Sequence, residues 1–276
     1  MKLLRLEFMA MLNDIVEIAQ AAGQAIMQFY SQDETEVQRK QDNSPVTEAD
    51  MAAHNLIIEG LGKISDLPVV SEESFDPNIP PPKTDYWLVD PLDGTKEFIK
   101  RRQEFTVNIA LIRQGHPVLG VIDVPAVGET FWAEEGRGSF KDGNKISNDR
   151  TQTDFLVAAG SRFHGSEKID QFQDHFGVKE IRKYGSSLKF CRLAEGDADL
   201  YIRLKPTSEW DTAAGQIIAL EAGCEVVNLL TLDPVEYSKP GEILNPPFVA
   251  FRSNLHIKPK DLVEFFQIVG DRWPKS

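Results

Sequence analysis

The sequence is poor in the residues that staple or anchor a chain. Two cysteines, Cys191 and Cys224, stand among 276 residues. They make no disulfide framework, and both sit in apolar, helix-like surroundings as core residues do, rather than as ligands or nucleophiles. A reducing cytoplasm fits that usage. A cytoplasmic location is therefore the expectation, with room for peripheral association at the inner face of the cell membrane. No apolar run approaches the roughly 20 residues of a membrane span. The opening MKLLRLEFMAMLNDIVEIAQ begins as a signal peptide does, but Arg5, Glu7, Asp14 and Glu17 interrupt its apolar region and exclude that reading. Positive charge is also short: 30 Lys and Arg against 43 Asp and Glu leave a formal net charge of −13. A field of that sign disfavours nonspecific nucleic-acid binding. Any anionic ligand then needs a metal or a local basic patch. Repeats and low-complexity tracts are absent, and no obligate protein partner is evident.

What is present suffices for a sizeable core. The apolar fraction is 41%, and the length fits one large domain or two intimately joined ones. The pattern is mixed α/β. Phe8, Met11, Leu12, Ile15, Ala19, Ala22, Ile26 and Phe29 recur at helical spacing and predict a long first helix. SPVTEADMAAHNLIIEGL predicts a second, with Thr47 as N-cap and Asp50 three residues on, as in a capping box. LPVV and YWLV read as short apolar strands. From Thr106 a meander follows, TVNIALI, PVLGVIDV and ETFWAEE, broken at Gln114-Gly115 and Ala126-Val127-Gly128. The second half alternates strand and helix from DFLVAAGS to CEVVNL. The change of pattern predicts two subdomains, 1–150 and 151–276, with a boundary near residues 145–155. Pro77 to Lys83 and Leu232 to Pro247 read as exposed insertions.

Each acidic residue has a plain structural reading when taken singly. Asp50 and Asp211 stand where helices begin. Glu72 and Glu73 follow LPVVS as a solvated loop would. Asp90 reads as a strand end, because Pro91 cannot continue a central strand. The combination points elsewhere. Val69-Val70 runs into Glu72 and Leu88-Val89 into Asp90, and ligands of open α/β sheets gather beyond strand ends. Clustered carboxylates repel unless a cation neutralises them. Oxygen ligands with no cysteine or histidine nearby suit a hard ion such as Mg²⁺. Gly94-Thr95-Lys96 follows Asp93, and amides opening a helix bind phosphate oxygens. Metal-binding acids beside phosphate-binding amides imply phosphoryl chemistry. In the second half, Arg182, Lys183, Lys189, Arg192, Arg203 and Lys205 concentrate positive charge. YGSSLK resembles an anion pocket, with Gly185 before small hydroxyls at a helix start.

SPVTEAD, VVSEES, WLVDPLDGTKEF and EWDTAAG together resemble the signature segments of the inositol-monophosphatase-like family of Mg²⁺-dependent, lithium-sensitive phosphatases. Within it, FTVNIALI, SRFH and GSSLKFCRLAEGDADLYIR resemble the 3'(2'),5'-bisphosphate nucleotidases of the bacterial CysQ type. The resemblance covers nearly the whole chain. It implies a layered αβαβα sandwich, two to three Mg²⁺ ions, and hydrolysis of adenosine 3',5'-bisphosphate to AMP and phosphate, with the phosphosulfate analogue as a further substrate in sulfur assimilation. It also implies roles by position. Glu72, Asp90 and the Leu92 carbonyl match the ligands of one metal; Asp90, Asp93 and Asp211 match those of a second. Glu72 and Thr95 match the pair that orients the attacking water, and Asp50 an acid linked to a third metal and to water activation. The Gly94 and Thr95 amides match phosphate holders. His164, Ser186, Lys189 and Arg203 match positions that hold the nucleotide, beside Asp93 and Asp211.

Two other readings stay open on sequence alone. One is an inositol or sugar monophosphatase on the same scaffold, against which the basic cluster argues. The other is a catalytically inactive binding module, which would be expected to lack one of the acids or Thr95.

Overall fold

The computed structural model describes residues 2–31, 45–149, 155–161, 168–237 and 243–268. His164 lies outside the described residues. The chain opens with two helices, α1 (Lys2–Tyr30) and α2 (Pro45–Ile64). The helical spacing read from the sequence is the buried stripe of α1: Leu12, Ile15, Ala19, Ala22 and Ile26 all face the core. Helix α2 begins three residues earlier than a Thr47 cap predicts. Pro45 takes its first turn, where a missing N–H costs nothing and φ is already helical. Thr47 is therefore inside the helix and not its N-cap.

The first sheet has seven strands in sequence order: β1 (Val69–Ser71), β2 (Tyr86–Asp93), β3 (Thr106–Arg113), β4 (His116–Val124), β5 (Glu129–Glu134), β6 (Gly138–Lys141) and β7 (Asn144–Ile146). β1 and β2 pair in parallel and the rest is an antiparallel meander. Gln114 and Gly115, at φ 50° and 80°, close the β3–β4 hairpin in the left-handed pair that a tight turn demands. A short helix, α3 (Thr95–Ile99), joins β2 to β3. The second sheet has five strands in the order β11 (Cys224–Asn228), β12 (Phe248–Arg252), β10 (Leu200–Arg203), β8 (Leu156–Ser161), β9 (Val178–Tyr184). Helices α4 (Lys168–Phe176), α5 (Leu188–Ala194), α6 (Ala213–Glu221) and α7 (Pro259–Ile268) complete the described elements.

The cores separate the layers. One face of the first sheet, with Trp87, Val89, Val107 and Ile109, packs on α1 and α2. Its other face, with Leu88, Ala110 and Ile122, packs on α5 and α6, which also cover the inner face of the second sheet. The outer face of that sheet packs on α4 and α7 through Phe172, Leu262 and Phe265. The result is the αβαβα sandwich. Small residues make the central layer thin. A Cβ on Gly120 of β4 would stand 2.7 Å from the Ala214 carbonyl, and one on Gly215 2.5 Å from the Phe190 ring. The helix that follows Asp211 therefore lies directly on the first sheet.

Two loops depart from expectation in different ways. Ile79 in the proline segment is exposed, as expected. The segment after Leu232 is not a free insertion: Val235 and Tyr237 are buried, and the Tyr237 hydroxyl donates to Gln216 Oε1 at 2.8 Å. Among the described residues, no helix is long and apolar enough to cross a membrane.

Candidate active site

β1 and β2 run parallel with Ser71 opposite Val89, so the chain leaves both strands at one edge. Glu72 enters a 3-10 turn (Glu72–Ser74) there, beside Asp90. Asp90 does not end its strand. β2 continues through Pro91 and Leu92 to Asp93, with a register shift between the two aspartates. Asp90 stands opposite Asn108 and Asp93 opposite Thr106. Three steps of β2 thus face two of β3, which is a bulge of one extra residue. In a regular strand, residues three apart point to opposite faces. The bulge turns Asp93 back to the face of Asp90. Pro91 is tolerated because it lies beyond the reach of β1 and inside the bulge. The Leu92 N–H donates to Asp90 Oδ1 at 3.1 Å, while the Leu92 side chain anchors in the core under α1 and α2.

The third acid comes from the far half of the chain. Asp211 ends a 3-10 turn (Glu209–Asp211) just before α6, and its Oδ2 accepts the Ser208 N–H at 2.9 Å. The Ser187 N–H, at the start of α5, donates to Asp93 Oδ2 at 2.6 Å. Carboxylate oxygens of Asp90, Asp93 and Asp211 lie within 4.8 Å of one another. Burial and mutual repulsion push all three toward the protonated form. Asp90 is raised well above the usual range by burial and then by Asp93, Glu72, Asp211 and Asp50. Asp93 rises to about 7, from burial and Asp211, against the opposing Lys189 charge. Asp211 rises to about 6, chiefly from burial, against its bond from Ser208. Asp50 of α2 rises to about 8 through burial, Glu73 and Glu72, and its Oδ1 is buried with no hydrogen-bond partner among the described residues. Glu72 opens to solvent at the rim, yet desolvation and the Asp93 and Glu73 charges raise it too.

Carboxylates held this close against their own repulsion fit a cation, and an all-oxygen donor set fits a hard one. The single orphaned oxygen of Asp50 is the same kind of misfit.

A cleft of about 270 Å³ opens from these acids and gathers Asp93, Gly94, Thr95, Ser186, Lys189, Arg203 and Asp211 along its wall. Gly94, at φ 93°, precedes α3, and a Cβ there would press to 3.2 Å of both the Phe105 Cα and the Ser186 side chain. Ser186 is itself left-handed, at φ 39°, and its hydroxyl donates to the Glu104 carbonyl at 2.6 Å. Lys189 is buried, and its ammonium donates to the Ser186 carbonyl at 2.5 Å and, less well, to that of Tyr184 at 3.4 Å. Burial lowers its pKa to about 8; Asp93 opposes that shift, and Arg203 adds to it. The Arg203 Nε donates to the Lys205 carbonyl at 3.0 Å.

The basic cluster read from the sequence is largely spent elsewhere. Arg182 pairs with Glu180 and Asp197, and Arg192 with Glu129 and Glu195. Lys183 and Lys205 are exposed and do not line the cleft. Lys189 and Arg203 remain, and Lys96 joins them on the cleft wall. Lys96 belongs to the Gly94-Thr95-Lys96 segment, but the basic cluster read from the sequence does not include it. The contact of Ser187 with Asp93 is not readable in the sequence because it spans 94 residues.

An αβαβα sandwich with two acids on the last residues of β2 and a third at a helix start clustered beside them, facing an anion-receptive cleft, defines a metal-assisted phosphatase scaffold. Residues 9–249 match the inositol monophosphatase family, and the chain belongs to it. The 3'(2'),5'-bisphosphate nucleotidase CysQ of Salmonella typhimurium is 45% identical over 251 residues, covering 86% of this chain and 98% of that protein. CysQ of Escherichia coli K12 is 43% identical over 249 residues, with the same coverage. The crystal structure of CysQ from Bacteroides thetaiotaomicron, a bacterial member of the inositol monophosphatase family, superposes with a TM-score of 0.81 at 37% identity, over 91% of this chain and 100% of that one.

Proposed function

We propose that this protein hydrolyses the 3'-phosphate of adenosine 3',5'-bisphosphate, releasing AMP and phosphate. The observation that carries the reading is one cleft with carboxylates at its end and Lys189 and Arg203 on its wall. A substrate with two phosphates fits such a bipolar site: one group goes to the acids through cations, the other to the bases. The relatives named as 3'(2'),5'-bisphosphate nucleotidases support that choice over a sugar monophosphate.

Mg²⁺ is the ion that this oxygen-only set favours. Glu72, Asp90 and the Leu92 carbonyl would hold one ion, Asp90, Asp93 and Asp211 a second, and Asp50 would serve a third. When bound, the ions neutralise phosphate charge and acidify water. The side chains do the rest. Glu72, open at the rim, accepts the proton of the attacking water, and the Thr95 hydroxyl orients that water. The Gly94 and Thr95 amides hold the oxygens of the scissile phosphate. Arg203 and Lys189 hold the 5'-phosphate, with Ser186 and His164 on the nucleoside. Asp93 and Asp211 flank the leaving ribose oxygen. The 5'-phosphosulfate analogue presents the same 3'-phosphate and is accepted by the same residues.

Chromatography of the products tests the assignment. The expected product is AMP with its 5'-phosphate retained, with one equivalent of phosphate released. Adenosine 3'-phosphate as product, or no turnover with Mg²⁺, would contradict it.

A further inference from the structure

Ser187 stands at the N-cap of α5, yet its hydroxyl makes no cap bond. A serine in that place ordinarily satisfies its own helix. Here the hydroxyl is buried and turned to the neighbouring sheet. It donates to Asn108 Oδ1 at 2.7 Å and lies 2.8 Å from the Thr106 hydroxyl, which is left to donate to it. The partners are informative. Thr106 is the residue opposite Asp93 on β3, and Asn108 the residue opposite Asp90. The same serine gives its backbone N–H to Asp93 at 2.6 Å. All three side chains are buried: Thr106 is 0% exposed, Asn108 1% and Ser187 3%. Asn108 Nδ2 is left buried with no partner among the described residues, so the relay is kept at a cost.

We propose that Thr106, Ser187 and Asn108 form a positioning relay that fixes the separation of Asp90 and Asp93 and so sets the affinity of the metal site. This rests on the reading of that site given above. The bulge alone leaves Asp93 on a segment with an extra residue. The relay ties that segment, through Ser187, to the two β3 residues that face the aspartates. Ser187 lies on the cleft wall, but its buried hydroxyl faces the sheet, and in this role it acts through Asp93.

Ser187→Ala removes the centre of the relay and keeps the backbone N–H. Partners that orient metal ligands typically contribute about 10- to 100-fold in metal affinity. The expected result is a roughly 10-fold rise in the Mg²⁺ concentration for half-maximal hydrolysis, with the nucleotide KM at saturating Mg²⁺ within about 2-fold of wild type. Binding of Mn²⁺ alone, measured by calorimetry without substrate, should weaken by the same factor. Thr106→Val, which keeps shape and loses the donor, should shift both readouts in the same direction by less. It decides the matter if Ser187→Ala fails to fold. Wild-type Mn²⁺ affinity in the folded variants would overturn the relay while leaving the metal site standing. A wild-type protein that binds no Mn²⁺ would overturn both.

Discussion

Asp211 accepts the Ser208 N–H through Oδ2 at 2.9 Å and still stands with a carboxylate oxygen within 4.8 Å of those of Asp90 and Asp93. The residue is thus both a turn cap and a member of the acidic cluster. The two roles separate on substitution. In Asp211→Asn the amide oxygen keeps the bond from Ser208, since asparagine caps nearly as well as aspartate. The charge that offsets a cation is lost, which removes on the order of 3 kcal/mol or more of transition-state stabilisation. The expected outcome is a melting temperature close to wild type and a fall in kcat of about 100-fold or greater. A folded mutant with near wild-type phosphate release would reject the ligand role.

Metal-free stability should depend on pH with a definite sign. Asp211, Asp93 and Asp50 move from 3.8 to about 6, 7 and 8 in the folded protein. The folded state then holds protons that the unfolded chain has released. Stability is therefore lost as pH rises from about 4 to about 8. A bound cation reverses the repulsion, so the gain in melting temperature on adding Mg²⁺ should be larger near pH 8 than near pH 5. Thermal melts at the two pH values, with Mg²⁺ and with EDTA, measure this. An equal gain at both would count against a cation among these acids.

Arg203→Ala should lower kcat/KM for the bisphosphate roughly 10- to 100-fold, the value of one charge-assisted hydrogen bond. The slow hydrolysis of inositol 1-phosphate, which lacks the second phosphate, should barely change. Lys189→Ala should lower both rates, because the ammonium also braces the left-handed Ser186 turn. The ratio of the two kcat/KM values in each mutant is the measurement. An equal fall with Arg203→Ala would make that residue structural.

Far from the site, Asp123 is buried against Gly23 of α1, where a Cβ would stand 2.2 Å from its Oδ2. Burial raises its pKa to about 6, against the bond from Thr130 and with a further push from Asp142. An acid raised by about 2 units destabilises the fold by up to about 3 kcal/mol once ionised. Asp123→Asn keeps the acceptor for Thr130, while its new N–H₂ finds no clear acceptor against Gly23, so the net gain is about 1 kcal/mol. That gain should be seen near pH 8 and vanish near pH 4, read by denaturant melts at the two values.

Much of this was legible in the sequence because local pattern and tertiary demand agreed. The stripe of α1, the meander from Thr106 and the alternation after Leu156 each follow from side-chain period. The acidic motifs pointed to the site, and the structure brings together Asp90, Asp93 and Asp211, which the family resemblance had grouped. The failures have tertiary causes. Pro91 read as a strand end because a bulge is a property of two strands, not of one. Arg182 and Arg192 read as phosphate binders because Asp197, Glu129 and Glu195, which neutralise them, are chosen by the fold. β12 is hidden in the sequence between prolines and loop residues, although it is an interior strand of its sheet. In the sequence Ser187 is one of the small hydroxyls of YGSSLK, and only the neighbouring sheet shows why its hydroxyl is turned away from its helix.

The most direct measurement is phosphate release from adenosine 3',5'-bisphosphate and from myo-inositol 1-phosphate by the same preparation, with Mg²⁺ and with EDTA. The expected result is rapid release from the bisphosphate with Mg²⁺, at least about 10-fold slower release from the inositol phosphate, consistent with one lost charge-assisted contact, and none from either in EDTA. Undiminished release in EDTA, or a preference for the inositol phosphate, would contradict the reading of Asp90, Asp93 and Asp211 as a metal site facing a bisphosphate cleft.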